Sequence, residues 1–439
     1  MLVVGQLLAD ILLALADPRI RLEREKAPTK AIAAFTALAA LAAAVLTWAS
    51  ETYPAFLEFL KSASFAVLIA AAAVLCVLLV AGLVWAAVFF CKNLLPQTLR
   101  SPRGATALAV LAVLYAAAIL APFLAPYEPT EQCLDKSFHP PSAIFFKDGS
   151  LRVQCYRQSD PSIAKYEPIE GESLPLKFFV RDEDSNYKIL GLIPFKTRLF
   201  GVESAQPDAR VYLLGADSTG RDVFSRLLYG ARVSLSIGFV GIAITMVLGF
   251  LVGGLAGYFG GAFDFIAMRF VEFLMAIPSL YLLLAMRSAL APHFDSAQMY
   301  IVIILSALGW AGTARVIRGM SLSLANTQYV QAAKAMGESP VKIIVKHFLP
   351  NVLSYLIVAA TLSIPAYVLG EAALSFLGLG IQEPSASWGL MLAQAQNDTK
   401  VLMLGFWWML TPGIAIFTTV ICFNILGDIL RDIADPKKD

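Results

Sequence analysis

Seven long stretches of this chain contain no charged residue: 31–50, 65–91, 104–127, 233–263, 299–314, 351–370 and 401–427. About 20 apolar residues in a helix cross the roughly 30 Å hydrocarbon layer of a bilayer. The run at 299–314 is short, but it reaches Gly319 if Arg315 and Arg318 lie at the lipid interface. An eighth candidate, 265–286, carries Arg269 and Glu272, spaced to pair on one helix face. The composition agrees: 58% of residues are hydrophobic and 15% are charged, against roughly 25% charged in soluble domains. So many runs exclude a soluble chain with buried helices. The expected fold is an all-α polytopic membrane protein of eight spans.

Positive residues favour the cytoplasmic ends of short loops. With the N-terminus inside, seventeen Lys and Arg fall in short cytoplasmic pieces, from Arg19 to Lys438, and three (Lys61, Arg287, Lys400) in short external loops. Both termini are therefore expected in the cytoplasm. No charged n-region or nearby small-residue cleavage site marks a cleavable signal peptide. Residues 1–16 are apolar but short for a span, which suits an interfacial helix or one packed under the bundle.

Three parts follow. Residues 1–100 are expected to supply two membrane helices and a short acidic external loop. Residue 104–127 is one helix, and 128–232 is a long external excursion. Its recurring aromatic and β-branched residues, as in KFFVRDEDSNYKILGLIPF, point to a small strand-rich insertion. Residues 233–439 hold the remaining helices. Cys133 and Cys155 both fall in the excursion, where an oxidising compartment would let them pair; two free thiols are the alternative. Cys76, Cys91 and Cys422 lie in or beside apolar runs and are read as packing residues. With three histidines in the chain, neither a zinc site nor a Ser/His/Asp set is recognisable. No G-x-x-x-x-G-K-[ST] loop cradles a nucleotide, and no basic, aromatic-interleaved patch suggests nucleic acid.

One polar segment interrupts the apolar pattern, YVQAAKAMGESPVKIIVKHFLPN at 329–351, overlapping a cytoplasmic loop expected at 326–350. Gly337 can close a short helix because glycine enters the left-handed conformation cheaply. Ser339 and Pro340 then read as N-cap and first residue of a second helix. The result is a knuckle shaped to dock into another protein. It resembles the coupling loop of ATP-binding-cassette importer permeases: Glu-Ala-Ala, three residues, Gly, nine residues, Ile, one residue, Leu-Pro. Ala332, Ala333, Gly337, Leu349 and Pro350 fall in register. Gln331 replaces the Glu and His347 the Ile, the latter similar to the peptide-permease branch.

Three further segments resemble the C-type subunit of oligopeptide and dipeptide permeases. In LGADSTGRDVFSRLLYGARVSL (214–235), Asp217 and Thr219 can cap a helix starting near Gly220, with Arg221, Asp222, Arg226 and Arg232 at the interface. In GEAALSFLGLGIQEPSASWGLML (370–392), Glu371 lies where a helix meets the external face, Gly378 and Gly380 break that helix, and Pro384 stops it resuming before Trp388. A broken helix at membrane depth is tolerated only where it lines a cavity or is covered by protein. Glu371 is an ionisable residue at the membrane margin, and so either a functional group or a local cap. The third, NILGDILRDIADP (424–436), reads as a charged cytoplasmic anchor ending at Pro436.

The resemblance covers roughly 104–439. It implies a type I importer bundle of six core helices, here with two extra N-terminal helices and the insertion. It also implies a bacterial inner-membrane location and alternating access driven by two cytoplasmic ATPase subunits. Those subunits, not this chain, would bind ATP and Mg. A homologous second permease subunit would complete the pore, and an external binding protein would deliver substrate. Peptides lead, with nickel chelates, opines and sugars open. A stand-alone secondary transporter and a membrane sensor or scaffold are the other classes. Against the secondary transporter, few intramembrane charges are present to couple an ion gradient, and the knuckle would lack a purpose.

Overall fold

The computed structural model describes residues 88–434, apart from 148, 162, 182–187, 190–192, 195, 203–208, 292–293 and 295. The extension expected at 1–100 lies outside them up to residue 87, as do Asp435 and Pro436 at the other end. A π-helical turn, Phe90–Leu94, leads into α1 (Leu95–Arg100). Ser101 caps α2 (Pro102–Ile119), accepting a hydrogen bond from the Gly104 N–H at 3.4 Å, and Pro102 supplies a pre-set φ in the first turn. The span expected at 104–127 ends early. Leu120 leaves the helical conformation, and the chain resumes as the single turn α3 (Ala121–Leu124).

The insertion is an antiparallel sheet of β1 (Ile144–Lys147), β2 (Ser150–Asp160), β3 (Lys165–Arg181) and β6 (Thr197–Val202), in spatial order β1-β2-β3-β6. A two-residue pair, β4 (Lys188–Ile189) and β5 (Ile193–Pro194), lies between β3 and β6. The sheet is not a free domain. Val153 and Phe200 pack with Val211 against Tyr127 and Phe224, and Phe138 stacks on Phe406 with ring centres 5.0 Å apart. Backbone bonds then key the insertion to the next loop: Phe138 N–H to Asp217 C=O at 2.9 Å and Ala216 N–H to His139 C=O at 2.8 Å. His139 is enclosed by Tyr156, Tyr166 and Tyr212, and burial pushes its imidazole down to about 4. Cys133 and Cys155 are free thiols, so the expected pair is not made. Cys133 is tied into the turn against Gly220, whereas Cys155 sits mid-strand at a register shift in the β2–β3 ladder.

Helix α4 (Val223–Phe259) begins ten residues before the expected boundary at 233. It packs most extensively on α7 (Ala297–Ala325). The reason is a stripe of small residues. A Cβ at Gly249, Gly253 or Gly257 would lie within 2.6 Å of Thr313, Ala314 or Ser321. Four-residue spacing puts all three on one face and lets the backbones approach, as membrane helices require when lipid supplies no hydrophobic drive. Between them run α5 (Gly261–Ala276) and α6 (Ser279–Leu290). The single span expected at 265–286 is broken here by about 100°. Pro278 forces Ile277 into an extended conformation and ends α5. Helix α7 runs past Ala314 to Ala325, and Arg318 forms a two-pronged ion pair with Asp264 of α5.

The knuckle comprises α8 (Gln328–Ala335), α9 (Pro340–Ile343) and a π-turn, Ile344–Phe348. Helix α10 (Leu349–Phe376) follows without interruption and contains Pro365. Past the break come α11 (Trp388–Asn397), α12 (Thr399–Leu404) and α13 (Thr411–Ala434). The last expected span thus starts as short turns around Gly405. Among the described residues, five helical stretches are long and apolar enough to cross a membrane, and the bent α5–α6 pair makes a sixth if it counts as one span. The architecture is a mostly helical polytopic bundle with a sheet keyed to one end.

Candidate functional site

Two polar clusters stand at opposite ends of α10. At its N-terminal end, Gly337 has φ +76° and closes α8. The Gly337 N–H reaches Lys334 C=O at 3.0 Å and the Glu338 N–H reaches Ala333 C=O at 3.1 Å. These are the paired bonds of a helix end that turns through a left-handed residue. Ser339 and Pro340 occupy the expected N-cap and first helical positions, but the Ser339 hydroxyl makes no capping bond. Glu338 takes over the polar work. Its carboxylate meets Lys342 at 2.9 Å, His347 at 3.3 Å and Lys346 at 3.5 Å, and Lys342 chiefly holds it down at about 2.

The knuckle has an inner and an outer side. Ala333, Val330, Ile343, Ile344 and Phe348 are buried against Ile317, Phe250 and Val352. The small Ala333 side chain therefore fits this chain's own packing. Ala332 is exposed. Gln331 donates through its amide to Ala325 C=O at 2.8 Å, tying α8 back to α7. On the outer side Met336 and Val341 are 74% and 70% exposed, beside Tyr329 and Val345. Leu349 and Pro350 open α10, with Pro350 in the first turn, where its missing N–H costs nothing. His347 faces the Tyr329 ring at 5.9 Å.

At the far end of α10 lies a polar lock. The expected cap by Asp217 and Thr219 is not made. Asp222 caps α4 instead, accepting from the Ser225 N–H at 2.7 Å and the Ser225 hydroxyl at 2.6 Å. Asp217 is freed for another task. One carboxylate oxygen accepts from Thr219 N–H, the Thr219 hydroxyl and Arg221 N–H. The other accepts from Arg221 Nε at 2.8 Å and from Arg226 Nη1. Both arginines continue to Glu383, Arg221 at 2.6 Å and Arg226 at 3.4 Å, and Gln394 donates to the same carboxylate. Two cations and two anions thus close a neutral cluster around Arg226, which is 1% exposed. Burial alone would raise the Asp217 carboxyl, but the two guanidiniums outweigh it and hold it below the usual carboxylate range. Glu383 is lowered in the same way.

Beside the lock, Glu371 is 0% exposed and not at a surface, as its place near the helix end suggested. It accepts from the Ser234 hydroxyl of α4 at 2.8 Å and the Ser375 hydroxyl at 2.7 Å. Those hydroxyls in turn accept from Trp388 N–H at 3.3 Å and Ile381 N–H at 3.0 Å. The carboxylate therefore fastens the broken segment to two helices. Gly378, with φ +72°, ends α10 as Gly337 ends α8. Gly380 is glycine because the chain doubles back: a Cβ there would sit 2.5 Å from the Ser375 backbone nitrogen. Trp388 is buried, and its ring N–H donates to Leu227 C=O at 3.0 Å.

A Glu371→Gln variant can still accept one hydroxyl and donate to the other, so its melting temperature is expected to stay near that of the parent. Glu371→Leu leaves two buried hydroxyls without their acceptor, at a cost of about 1–3 kcal/mol each. Scanning fluorimetry in detergent separates the two, and a leucine variant as stable as the parent would show the bonds to be idle.

The structure brings Asp217, Gly220, Arg221, Asp222, Glu371, Gly378, Gly380 and Trp388 to one end of the bundle. It also draws in Arg226, read from the sequence as part of the interfacial turn, and adds Glu383, Gln394, Ser234 and Ser375, which sequence reading did not assign to a site. Contacts from Arg221 to Glu383 and from Ser234 to Glu371 join residues more than 130 positions apart, a pairing no local spacing encodes.

Residues 246–439 match the family described as binding-protein-dependent transport system inner membrane component, and residues 97–141 match the N-terminal TM domain of oligopeptide transport permease C. The chain is 41% identical over 236 residues to the dipeptide transport system permease protein DppC of Bacillus subtilis, covering 54% of this chain and 72% of that protein. It is 39% identical over 235 residues to the oligopeptide transport system permease protein OppC of Haemophilus influenzae, covering 53% and 73%. The MetNI methionine ABC transporter, solved in inward-facing conformations, aligns with 48% of this chain and 97% of its own, at 22% identity and a TM-score of 0.39. With more than two thirds of such relatives covered at about 40% identity, and the coupling pattern folded as a helix–glycine–helix knuckle, the chain belongs to the binding-protein-dependent inner-membrane permeases, as a C-type permease subunit of an ATP-binding-cassette importer.

Proposed function

We propose that this permease subunit imports peptides, with the knuckle as its ATPase contact and the polar lock as part of the pathway's closure at the other face. The subunit has no ATPase of its own; hydrolysis belongs to partner subunits. One observation carries the assignment of roles: a single helix, α10, starts at the knuckle and ends beside the lock. Motion delivered to Gln331, Ala332, Gly337, Ser339, Pro340, His347, Leu349 or Pro350 therefore reaches Glu371 and Gly378 through continuous backbone. The exposed Met336, Val341 and Val345 offer the apolar face for the ATPase cleft. The assembly proposed is this chain with a homologous second permease subunit, two cytoplasmic ATPases and an external binding protein. Both termini lie in the cytoplasm and the 128–232 segment outside. The division at 1–100, 104–127, 128–232 and 233–439 then separates an accessory pair of helices, the first core helix, the insertion and the coupled core. The names of the related dipeptide and oligopeptide permeases support peptides as the substrate class.

The test is reconstitution of the full complex in proteoliposomes with its binding protein. Di- to pentapeptides are expected to stimulate ATP hydrolysis and to accumulate inside. Stimulation by a nickel chelate or a sugar, with none by peptides, would overturn the substrate assignment.

A further inference from the structure

Near the end of β3, Phe178 and Phe179 stand side by side and are 54% and 65% exposed. Successive residues of a strand point to opposite faces, so one of the two would ordinarily turn inward. Phe179 does not follow the strand. Its φ is +57°, a region that bulky side chains rarely enter. The ladder to β6 accordingly passes from Phe178↔Phe200 to Val180↔Arg198 with no pair between. A kink that displays two large apolar rings on a sheet requires something to cover them. Lys177 and Arg181, both exposed, flank the pair.

The surroundings point to the occupant. The Phe179 ring stacks on Phe123 of α3 with centres 6.3 Å apart. Helix α3 is the turn that follows directly on the membrane span α2. Exposed apolar side chains continue down that span through Leu120, Ile119 and Val113. The two rings therefore prolong a lipid-facing surface by one step beyond the helix end, the depth at which headgroups replace acyl chains. Aromatic rings collect at that depth, and basic side chains beside them meet the phosphates.

We propose that the Phe178–Phe179 kink is a membrane-interface anchor, which sinks both rings into the headgroup–acyl boundary of the leaflet beneath the insertion and fixes the sheet's tilt on the bilayer. The proposal rests on the membrane-permease reading, and its test separates the two.

The assembled transporter is placed in lipid nanodiscs with the native cysteines replaced by serine. An environment-sensitive fluorophore is attached at Phe179→Cys, at Phe417→Cys on the exposed face of α13, or at Phe146→Cys on β1. Quenching is read with nitroxide-labelled lipid at a shallow or a deep acyl position, and with aqueous iodide. The expected result at 179 is strong shallow-nitroxide quenching and at least threefold weaker iodide quenching than at 146. Iodide quenching equal to that at 146 would overturn the anchor. Shielding from both quenchers would also overturn it, because protein would then cover the rings. Deep-nitroxide quenching at 417 checks the membrane reading itself; its absence would bring down that reading rather than the anchor alone.

Discussion

A Gly337→Val variant is expected to insert in the membrane at normal levels and to lose most of its uptake. Nothing lies within 4 Å of a Cβ built at this position, so the penalty is not a clash. It comes from the backbone, since φ +76° places a side chain against its own carbonyl at a cost of about 1–2 kcal/mol. That energy lowers the equilibrium constant for the properly turned knuckle by a factor of roughly 5–30, because 1.4 kcal/mol is tenfold in an equilibrium. The two bonds that close α8 are made by the amides of Gly337 and Glu338, so a changed φ also misplaces the Glu338 carboxylate relative to Lys342, Lys346 and His347. Gly337→Asn, which tolerates the left-handed region, is expected to keep most of the activity. Peptide uptake in cells, normalised to membrane-inserted protein, checks both. Full uptake by the valine variant would remove the knuckle from the coupling path.

Asp217→Ala is expected to cost about 3–5 kcal/mol, the usual consequence of leaving buried charges without their counter-ion. Arg226 is almost wholly enclosed, and without Asp217 its remaining carboxylate is Glu383 at 3.4 Å. The same substitution removes the acceptor for three donors in the turn that carries Thr219 and Arg221. Trp408 reports on the site directly, because its ring N–H donates to Ala216 C=O at 3.1 Å. A fall in melting temperature read by tryptophan emission is therefore expected, with Asp217→Asn intermediate. A melting curve unchanged by Asp217→Ala would show the lock to be dispensable. Acid acts in the same direction. Both Asp217 and Glu383 are held below their ordinary values, so their contribution is full above the usual carboxylate range and is lost as pH falls from that range through their lowered folded values. The lowered imidazole of His139 adds a loss that begins near 6.5 and is complete near 4.

How much of this could be read from the sequence depends on the range of the interaction. Gly337, Pro340 and Pro350 were legible because each acts within one helical turn: a left-handed closure, a first-turn proline, a start after a loop. The breaks at Gly378 and Gly380 were legible for the same reason. Asp217 was assigned the wrong job because two acids, 217 and 222, precede the same helix and either can cap it; tertiary arginine contacts decided between them. Glu371 looked superficial because its neighbours in sequence are a helix end and a loop. The covering residues, Ser234 and Trp388, arrive from elsewhere. The break in 265–286 comes from Pro278, a local signal that the sequence reading passed over in a long apolar run. The glycine stripe of α4 reads as ordinary membrane composition until its partner helix is in place.

Helix α10 spans 28 residues, about 42 Å of rod between its two polar ends. Lever arithmetic then sets the scale of signalling. A tilt of only about 5° at one end sweeps the other through about 4 Å, given that rise per residue. The Ser234 hydroxyl of α4 holds Glu371 across helices at 2.8 Å, and the swing at residue 371, about 3 Å at about 33 Å along the rod, is enough to part them, whereas the Ser375 bond lies within α10 and moves with it. A small angular stroke is enough to switch the far face between fastened and released, with no other moving part. Pro365, about three fifths of the way along, removes one of the helix's own bonds and marks the point where the rod is softest.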